Sequence, residues 1–436
     1  MEDVRNRRDL AADLAGSLWF LPTTFIVIAL AAGAILSSIE VDPDSALGRV
    51  AFSGDAEHAR QLLIVVTGTM ITVTSLVFAL TVVALQIAST QFSPRLLRSF
   101  LRDRGAQVVL STFVATVAYA MAGLHTVGGI DASGAVFLPR LAVSGALLLA
   151  LLSVGMLVYY IHHLTDSIRI DSVMQTIERT TLRLIRRRSP RIDGAGAEAA
   201  SAPEPPADAV VIPAGRSGYV QRLHLRSLAH QLERHDAAVQ LVLHVGWHVT
   251  EGRPLAMAWP TGPGPLDEEA VRRALHDQVE LATERKTEVD LGFDLRQLVD
   301  IANRALAPSL NDPYTAVQAI HHLSVLLSEL AQRDLPDVVI EDANGTARVV
   351  APTPSLPKHL EVVCSHLRQS AEGRPRVYVA LVRMLENVQR LAGRGEYIDA
   401  AGEQLALLEA DAERTIPVAE DLREIRAAIA RARAGA

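Results

Sequence analysis

The chain has 436 residues, of which 49% are hydrophobic, and it carries a formal net charge of -7 and one cysteine. The negative charge gives no basis for bulk nucleic-acid binding, and a single cysteine excludes an intrachain disulfide framework or a cysteine metal cluster. The mean hydropathy of +0.22 is high for a wholly soluble protein, and the apolar residues are clustered into long runs.

Four apolar runs lie in the first part of the chain, at about residues 17–39, 61–92, 106–127 and 141–163. Each is long enough to cross a bilayer, which takes ~20 helical residues. The first run follows a basic segment, so a signal peptide is the alternative, but the run is longer than the ~7–15 apolar residues of a signal core. We therefore predict a transmembrane domain over residues 1–192, with four membrane helices and a helical extension after the last one.

The arginines predict the orientation of these helices. Arg-rich segments lie at the N-terminus, between spans two and three, and after span four, whereas the two other loops are poorer in arginine. By the positive-inside rule, both termini are cytoplasmic. Nearly all basic residues are Arg and the chain is rich in Ala, which is typical of a GC-rich bacterial coding bias. The predicted protein is therefore a multi-pass protein of the bacterial inner (plasma) membrane, with the lipid bilayer as its first partner.

Span two is long and unusually polar, and Asp, Glu, Lys, Arg and His are absent from residues 61–94. Gly68, Thr72, Ser75, Ala79 and Gln86 fall at spacings of four, three, four and seven, which places them on one face of a helix. We call this face the span-two stripe. A lipid environment gives no reason for such a stripe, so it is predicted either to line water in a homo-oligomer or to pack against another helix.

After the membrane part, residues 193–208 are rich in Gly, Ala and Pro and are predicted to be a linker. Residues 209–262 show short β-type runs and resemble the half-motif of a barrel-sandwich module, although the carrier lysine of biotinyl and lipoyl domains is absent. Residues 263–436 are predicted to be mainly helical, with one hairpin at Asn344-Gly345. The expected fold is therefore an α-helical four-span membrane bundle followed by a cytoplasmic α+β domain.

The densest polar sequence is FDLRQLVDIANRALAPSLNDPYTA, residues 293–316, and SLVFALTVVALQIASTQFSPRLLRSF lies in the membrane part. In these two stretches the chain resembles a family of uncharacterised bacterial predicted integral membrane proteins, defined by the domain of unknown function number twenty-two fifty-four. The resemblance spans nearly the whole chain. It implies four transmembrane helices followed by a cytoplasmic domain, and it implies no established activity.

Two interpretations of the polar sequence remain open. Its spacing favours a structural one, in which intrahelical ion pairs and an Asp-Pro N-cap join two helices through a loop. The functional interpretation is a polar ligand site, with the second helix N-terminus open to an anion. The candidate ligand-binding residues are Arg296, Asp300, Asn303, Asn311 and Asp312.

Other chemistry is not indicated by the sequence. The adjacent histidine pairs point to different helix faces, so we expect no metal site. The sequence contains no Walker loop, GxSxG or HExxH motif, and we expect neither a cofactor nor an enzymatic activity.

Two functions follow from these predictions. The first is an oligomeric channel or transport-type protein whose cytoplasmic domain is regulatory. The alternative is a membrane-anchored sensor or scaffold that binds a small ligand or ion and has no pore.

Overall fold

The structure is a computed structural model, and it describes residues 20–39, 51–91, 103–127, 138–192, 203–283 and 290–435. The chain divides into two compact units, Met1–Val173 and Met174–Ala436. The Arg-rich segments 1–16 and 95–102, most of the loop between spans three and four, and residues 193–202 of the predicted linker lie outside the described residues.

The first unit contains four helices that are long and apolar enough to cross a membrane. Their bounds are α1 Phe20–Ser38, α2 Ala56–Gln91, α3 Arg104–Thr126 and α4 Arg140–Ile168. Helix α2 begins before the predicted start at residue 61, because the Asp55 side chain accepts a hydrogen bond from the backbone N–H of His58 at 2.8 Å. Helix α2 therefore starts next to its capping residue, and the apolar run begins further along the same helix.

Helix α3 is the centre of this unit, and the other three helices pack against it. More than half of its apolar window is buried (56%), whereas the windows of the other three helices are 17–22% buried. Thr116 of this helix contacts Ser153 of α4 through a hydroxyl–hydroxyl hydrogen bond of 3.1 Å, whereas the buried Tyr119 hydroxyl has no hydrogen-bond partner among the described residues. The sequence analysis described this span only as apolar and missed its interior polar face.

The predicted continuation of span four is interrupted. Helix α4 ends at Ile168, Arg169 has an extended ψ of 126°, and helix α5 follows at Ile170–Arg188. The apolar residues of α5 recur at helical spacing, and Met174, Ile177, Thr181 and Ile185 are buried.

The second unit combines strands and helices. Its strands are β1 Val210–Pro213, β2 Gly218–Leu223, β3 Ala237–Leu241, β4 His248–Val249, β5 Pro254–Pro260, β6 Val279–Ala282, β7 Val338–Glu341 and β8 Ala347–Ala351. Its further helices are α6 Leu225–Glu233, α7 Glu268–Gln278, α8 Leu291–Leu306, α9 Pro313–Ala331, α10 Leu356–Ser370, α11 Pro375–Leu391, α12 Gly395–Thr415 and α13 Ala419–Ala434.

The strands form two sheets, one in the order β1-β5-β3-β8-β7 and one in the order β4-β2-β6. The barrel-sandwich prediction for residues 209–262 is not confirmed. Strand β4 and the returning strand β5 belong to different sheets, and β3 pairs in parallel with β8, which comes about a hundred residues later in the chain. The β-type segment is thus completed by strands from outside its predicted bounds.

The predicted Asn344-Gly345 hairpin is confirmed, since β7 and β8 pair antiparallel around it. Gly345 has a φ of +79°, a conformation that favours glycine. The Asp342 carboxylate accepts hydrogen bonds from the backbone N–H groups of Asn344 and Thr346 at 2.8 and 3.0 Å, which closes the turn.

Candidate functional site

All five residues of the span-two stripe lie on the outside of the first unit. Gly68, Thr72, Ser75, Ala79 and Gln86 are exposed, and a Cβ added at Gly68 would meet nothing within 4 Å.

The opposite face of α2 carries the packing. Leu63, Met70, Val77 and Ala84 recur every seven residues and are at most 8% exposed. The small and polar residues therefore avoid the helix interface within one chain, and a packing role for the stripe requires a further helix.

The polar groups of the stripe differ in what they need from their surroundings. Thr72 and Ser75 each donate a hydroxyl hydrogen bond to the carbonyl oxygen four residues earlier, at 3.0 Å. Such back-bonding satisfies a hydroxyl without any partner from outside the helix. The Gln86 amide has two donors and an acceptor, and no hydrogen bond joins its side chain to another described residue. Gln86 is thus the stripe residue whose environment discriminates most between lipid, protein and water.

In the second unit, the predicted N-cap at Asp312 is confirmed. The Asp312 carboxylate accepts hydrogen bonds from the backbone N–H groups of Tyr314 and Thr315, both at 3.1 Å, and from the Thr315 hydroxyl at 2.6 Å. These bonds, chiefly those from Thr315, lower the pKa of Asp312. The helix N-terminus that was predicted to be open to an anion is therefore already occupied by this carboxylate.

The five predicted ligand-binding residues do not converge on one point. Arg296 lines a small cavity between α8 and α10, whereas Asn311 and Asp312 line a separate groove beside α9 and α11. Asp300 and Asn303 are half-buried and line neither of these two cavities. Arg296 and Asn303 are seven residues apart, so ~10 Å of helix axis separates them.

The groove has a volume of about 720 Å³. The buried residues Val379 and Ala380 contribute to its floor, and Tyr314, at its edge, is 72% exposed. Its charged and titratable lining residues are Asp312, His321, Arg376, Arg383 and Glu424. Because acidic and basic groups balance here, the groove has no clear preference for one sign of charge.

The small cavity has a volume of about 110 Å³, and we call it the histidine cavity. Three histidines line it, together with one carboxylate, two basic residues and an aromatic ring: His244, His359, His366, Asp290, Arg296, Lys358 and Trp247. His359 is 7% exposed. Burial, and to a lesser extent the charge interaction with His244, lowers the pKa of His359 to about 4, so its imidazole is neutral at physiological pH.

The sequence analysis missed a buried carboxyl on α8. Asp294 lies 3.1 Å from the Thr181 hydroxyl of α5, measured between the two oxygen atoms. Burial raises its pKa to about 7, and the neighbouring Asp290 adds to this effect. A signal was present in the sequence, because Asp294 shares a helix face with the buried residues Leu298 and Ile301.

No group of three His, Cys, Asp or Glu residues within the described ranges is arranged to hold a metal ion. The single cysteine, Cys364, is buried, and burial raises its pKa to about 12. A thiol with so high a pKa stays protonated and is a poor nucleophile.

Four long apolar helices, followed by a separate α/β unit, define an integral membrane protein. Comparison with known families agrees, because residues 15–387 match the family described as "Predicted membrane protein (DUF2254)". The chain belongs to this family.

The curated relatives of the chain come from mycobacteria. It is 42% identical over 430 residues to "Uncharacterized protein Rv1290c" of Mycobacterium tuberculosis (strain ATCC 25618 / H37Rv), covering 98% of this chain and 82% of the relative. The identity and coverage are the same for "Uncharacterized protein Mb1321c" of Mycobacterium bovis. No solved structure matches the chain significantly.

Proposed function

We propose that this protein is an oligomeric channel or transport-type protein of the bacterial inner membrane, with both termini in the cytoplasm and a regulatory second unit. The observation that carries the proposal is the exposure of the whole span-two stripe on the outside of the four-helix unit. The proposal assigns no enzymatic activity to the chain.

Three helices packed around α3 leave little room for an aqueous path inside one chain. A path between chains needs a helix that can present small and polar residues to a common axis, and α2 carries such residues at five exposed positions. Exposed apolar residues flank the stripe, among them Leu76, Phe78 and Val83. These apolar flanks fit lipid or helix contacts on either side of a narrow polar strip.

A cysteine-accessibility scan tests the proposal. Single cysteines are placed at the five stripe positions in a Cys364→Ala background, and a small water-soluble thiol reagent is applied to the folded oligomer. We expect labelling along the stripe. Two controls are matched to it: Val77, which is buried against the other helices, and Phe78, which is exposed beside the stripe. Both should be spared.

Uniform protection of the stripe in a protein shown to be folded and oligomeric would overturn the channel proposal. Substitution of Gln86 by Leu sharpens the comparison, because it removes the amide and keeps a similar bulk. If the stripe lines water, Gln86→Leu should change the conductance and leave the oligomer assembled.

The alternative function is a membrane-anchored sensor or scaffold without a pore. The two polar cavities of the second unit favour it, since ligand sites are concave with a few placed polar groups. In this case the stripe is a packed seam between copies, and Ser75→Leu should dissociate the oligomer while no flux is affected.

A further inference from the structure

The histidine cavity collects hydrogen-bond donors from three parts of the second unit. Helix α8 supplies Arg296, helix α10 supplies Lys358, His359 and His366, and the segment after β3 supplies His244 and Trp247. The rings of His244 and Trp247 are 4.4 Å apart, so they form one continuous wall.

His359 is the most informative residue of this cavity. Its side chain is 7% exposed, and it forms no hydrogen bond with any other described residue. A neutral imidazole still carries one N–H donor, which needs a hydrogen-bond partner. The cavity in front of His359 is the place where a ligand can provide that partner.

The charged groups around the cavity favour an anion. Among the lining residues that the structure describes, Asp290 is the only carboxylate, and it caps α8 by accepting a hydrogen bond from the Phe293 N–H at 3.2 Å. Lys358 lies at the rim and pairs with Glu361 at 2.7 Å. Arg296 contributes a planar guanidinium, whose fork of donors matches the oxygens of an oxyanion.

The size of the cavity restricts the ligand further. A volume of about 110 Å³ lies well below the ~300–1,000 Å³ of cofactor and drug-like sites. A small inorganic anion fits this space, whereas a nucleotide or a lipid would extend beyond it.

We propose that the histidine cavity binds a small oxyanion of the inorganic phosphate type, held by the guanidinium of Arg296 and the imidazole N–H of His359. This inference rests on the ligand-sensing function of the second unit and is independent of whether span two lines a pore. It assigns a class of ligand to the second unit, about which the span-two stripe gives no information.

The test uses the full-length protein in detergent, with inorganic phosphate as the probe. Binding is measured by isothermal titration calorimetry and by the shift of the melting temperature, against sodium chloride at matched ionic strength. We expect saturable stabilisation by phosphate. His359→Phe and Arg296→Gln should each weaken phosphate binding by on the order of ten-fold or more, as expected for the loss of a hydrogen bond to a charged ligand.

The matched control is Arg304→Gln, which removes the same residue type from the exposed end of the same helix α8. It should bind phosphate as the wild type does. If His359→Phe does not fold, as judged by its melt without phosphate, Arg296→Gln and Arg296→Lys decide the matter. Arg296→Lys keeps the positive charge but loses the planar fork of donors, so this variant should bind phosphate more weakly than the wild type.

Absence of phosphate binding by the wild-type protein would overturn the inference, and so would equal losses in Arg296→Gln and Arg304→Gln. Failure here is distinguishable from failure of the channel proposal, because the cysteine scan of span two has its own readout. If phosphate stabilises the wild type and the scan shows protection, the sensor alternative remains.

Discussion

Substitution of Asp294 by Asn should change how the stability of the second unit depends on pH. The Thr181 hydroxyl oxygen lies 2.7 Å from the Ile177 carbonyl oxygen and 3.1 Å from the Asp294 carboxyl oxygen. A hydroxyl has one proton, so it donates to one of these acceptors at a time. When the carboxyl is protonated it donates to the hydroxyl oxygen, and both hydrogen bonds form together.

The sign of the effect follows from the raised pKa. The pKa of Asp294 rises from 3.8 to about 7, chiefly through burial. Between these values the unfolded chain has lost this proton and the folded protein keeps it, so stability falls as pH rises from 4 towards 7 and then levels off. Asn cannot ionise, so this loss is absent in the variant.

The magnitude follows from the same two values. The pKa of Asp294 differs by about three between the unfolded and the folded state, and a difference of one in pKa corresponds to ~1.4 kcal/mol. The loss of stability on ionisation of Asp294 therefore has an upper limit of about 4 kcal/mol. Partial contact with solvent reduces it, and we expect about 2 kcal/mol of relative stabilisation of Asp294→Asn at pH 8 compared with pH 5. His359 titrates in the opposite sense, because its lowered pKa destabilises the folded state as pH falls. That contribution is common to both proteins and cancels in the difference.

The assay is urea unfolding of the full-length protein in detergent at pH 5, 6.5 and 8. Hydrogen exchange of residues 174–188 and 290–306 reports the α5 and α8 segments locally. Asp300→Asn is the matched control, since Asp300 is a half-buried aspartate on the same helix. If the difference between wild type and Asp294→Asn is the same at all three pH values, the buried-proton explanation is refuted.

Two further predictions concern stability and topology. Tyr378 is fully buried, and its hydroxyl donates to the Asp411 carboxylate at 2.5 Å. Tyr378→Phe should therefore destabilise the second unit by ~1–3 kcal/mol in urea titrations, whereas Tyr314→Phe, at a ring that is 72% exposed, should be neutral. For topology, a cysteine at Ser133 should be labelled from outside the cell and one at Ser99 should not. External labelling at Ser99 would contradict the proposed orientation.

Local features of this chain were predictable because each depends on residues close in sequence. The four apolar runs predict four long helices, since a span needs only enough consecutive apolar residues to cover the hydrocarbon core. The cap at Asp312 and the hairpin at Asn344-Gly345 were predicted for the same reason. A cap joins a carboxylate to N–H groups two and three residues away, and the turn needs a residue with positive φ.

The candidate site was only partly predictable. Helical spacing placed the span-two stripe on one face, and the structure shows that this face is exposed in a single chain. The dense polar sequence also grouped Arg296 with Asn311 and Asp312, but the fold places them on different cavities. Sequence distance along two helices does not say which third element packs between them.

The tertiary structure decided the features that join distant segments. The pairing of β3 with β8 and the contact of Thr181 with Asp294 each connect residues more than a hundred positions apart. The meeting of His359, Trp247 and Arg296 at one cavity is of the same kind. The periodicity of apolar residues indicates which face of a helix or strand is apolar. It does not indicate which other element packs against that face. The desolvation that shifts the pKa of Asp294 and His359 comes from that partner, so it emerges only when the chain is folded.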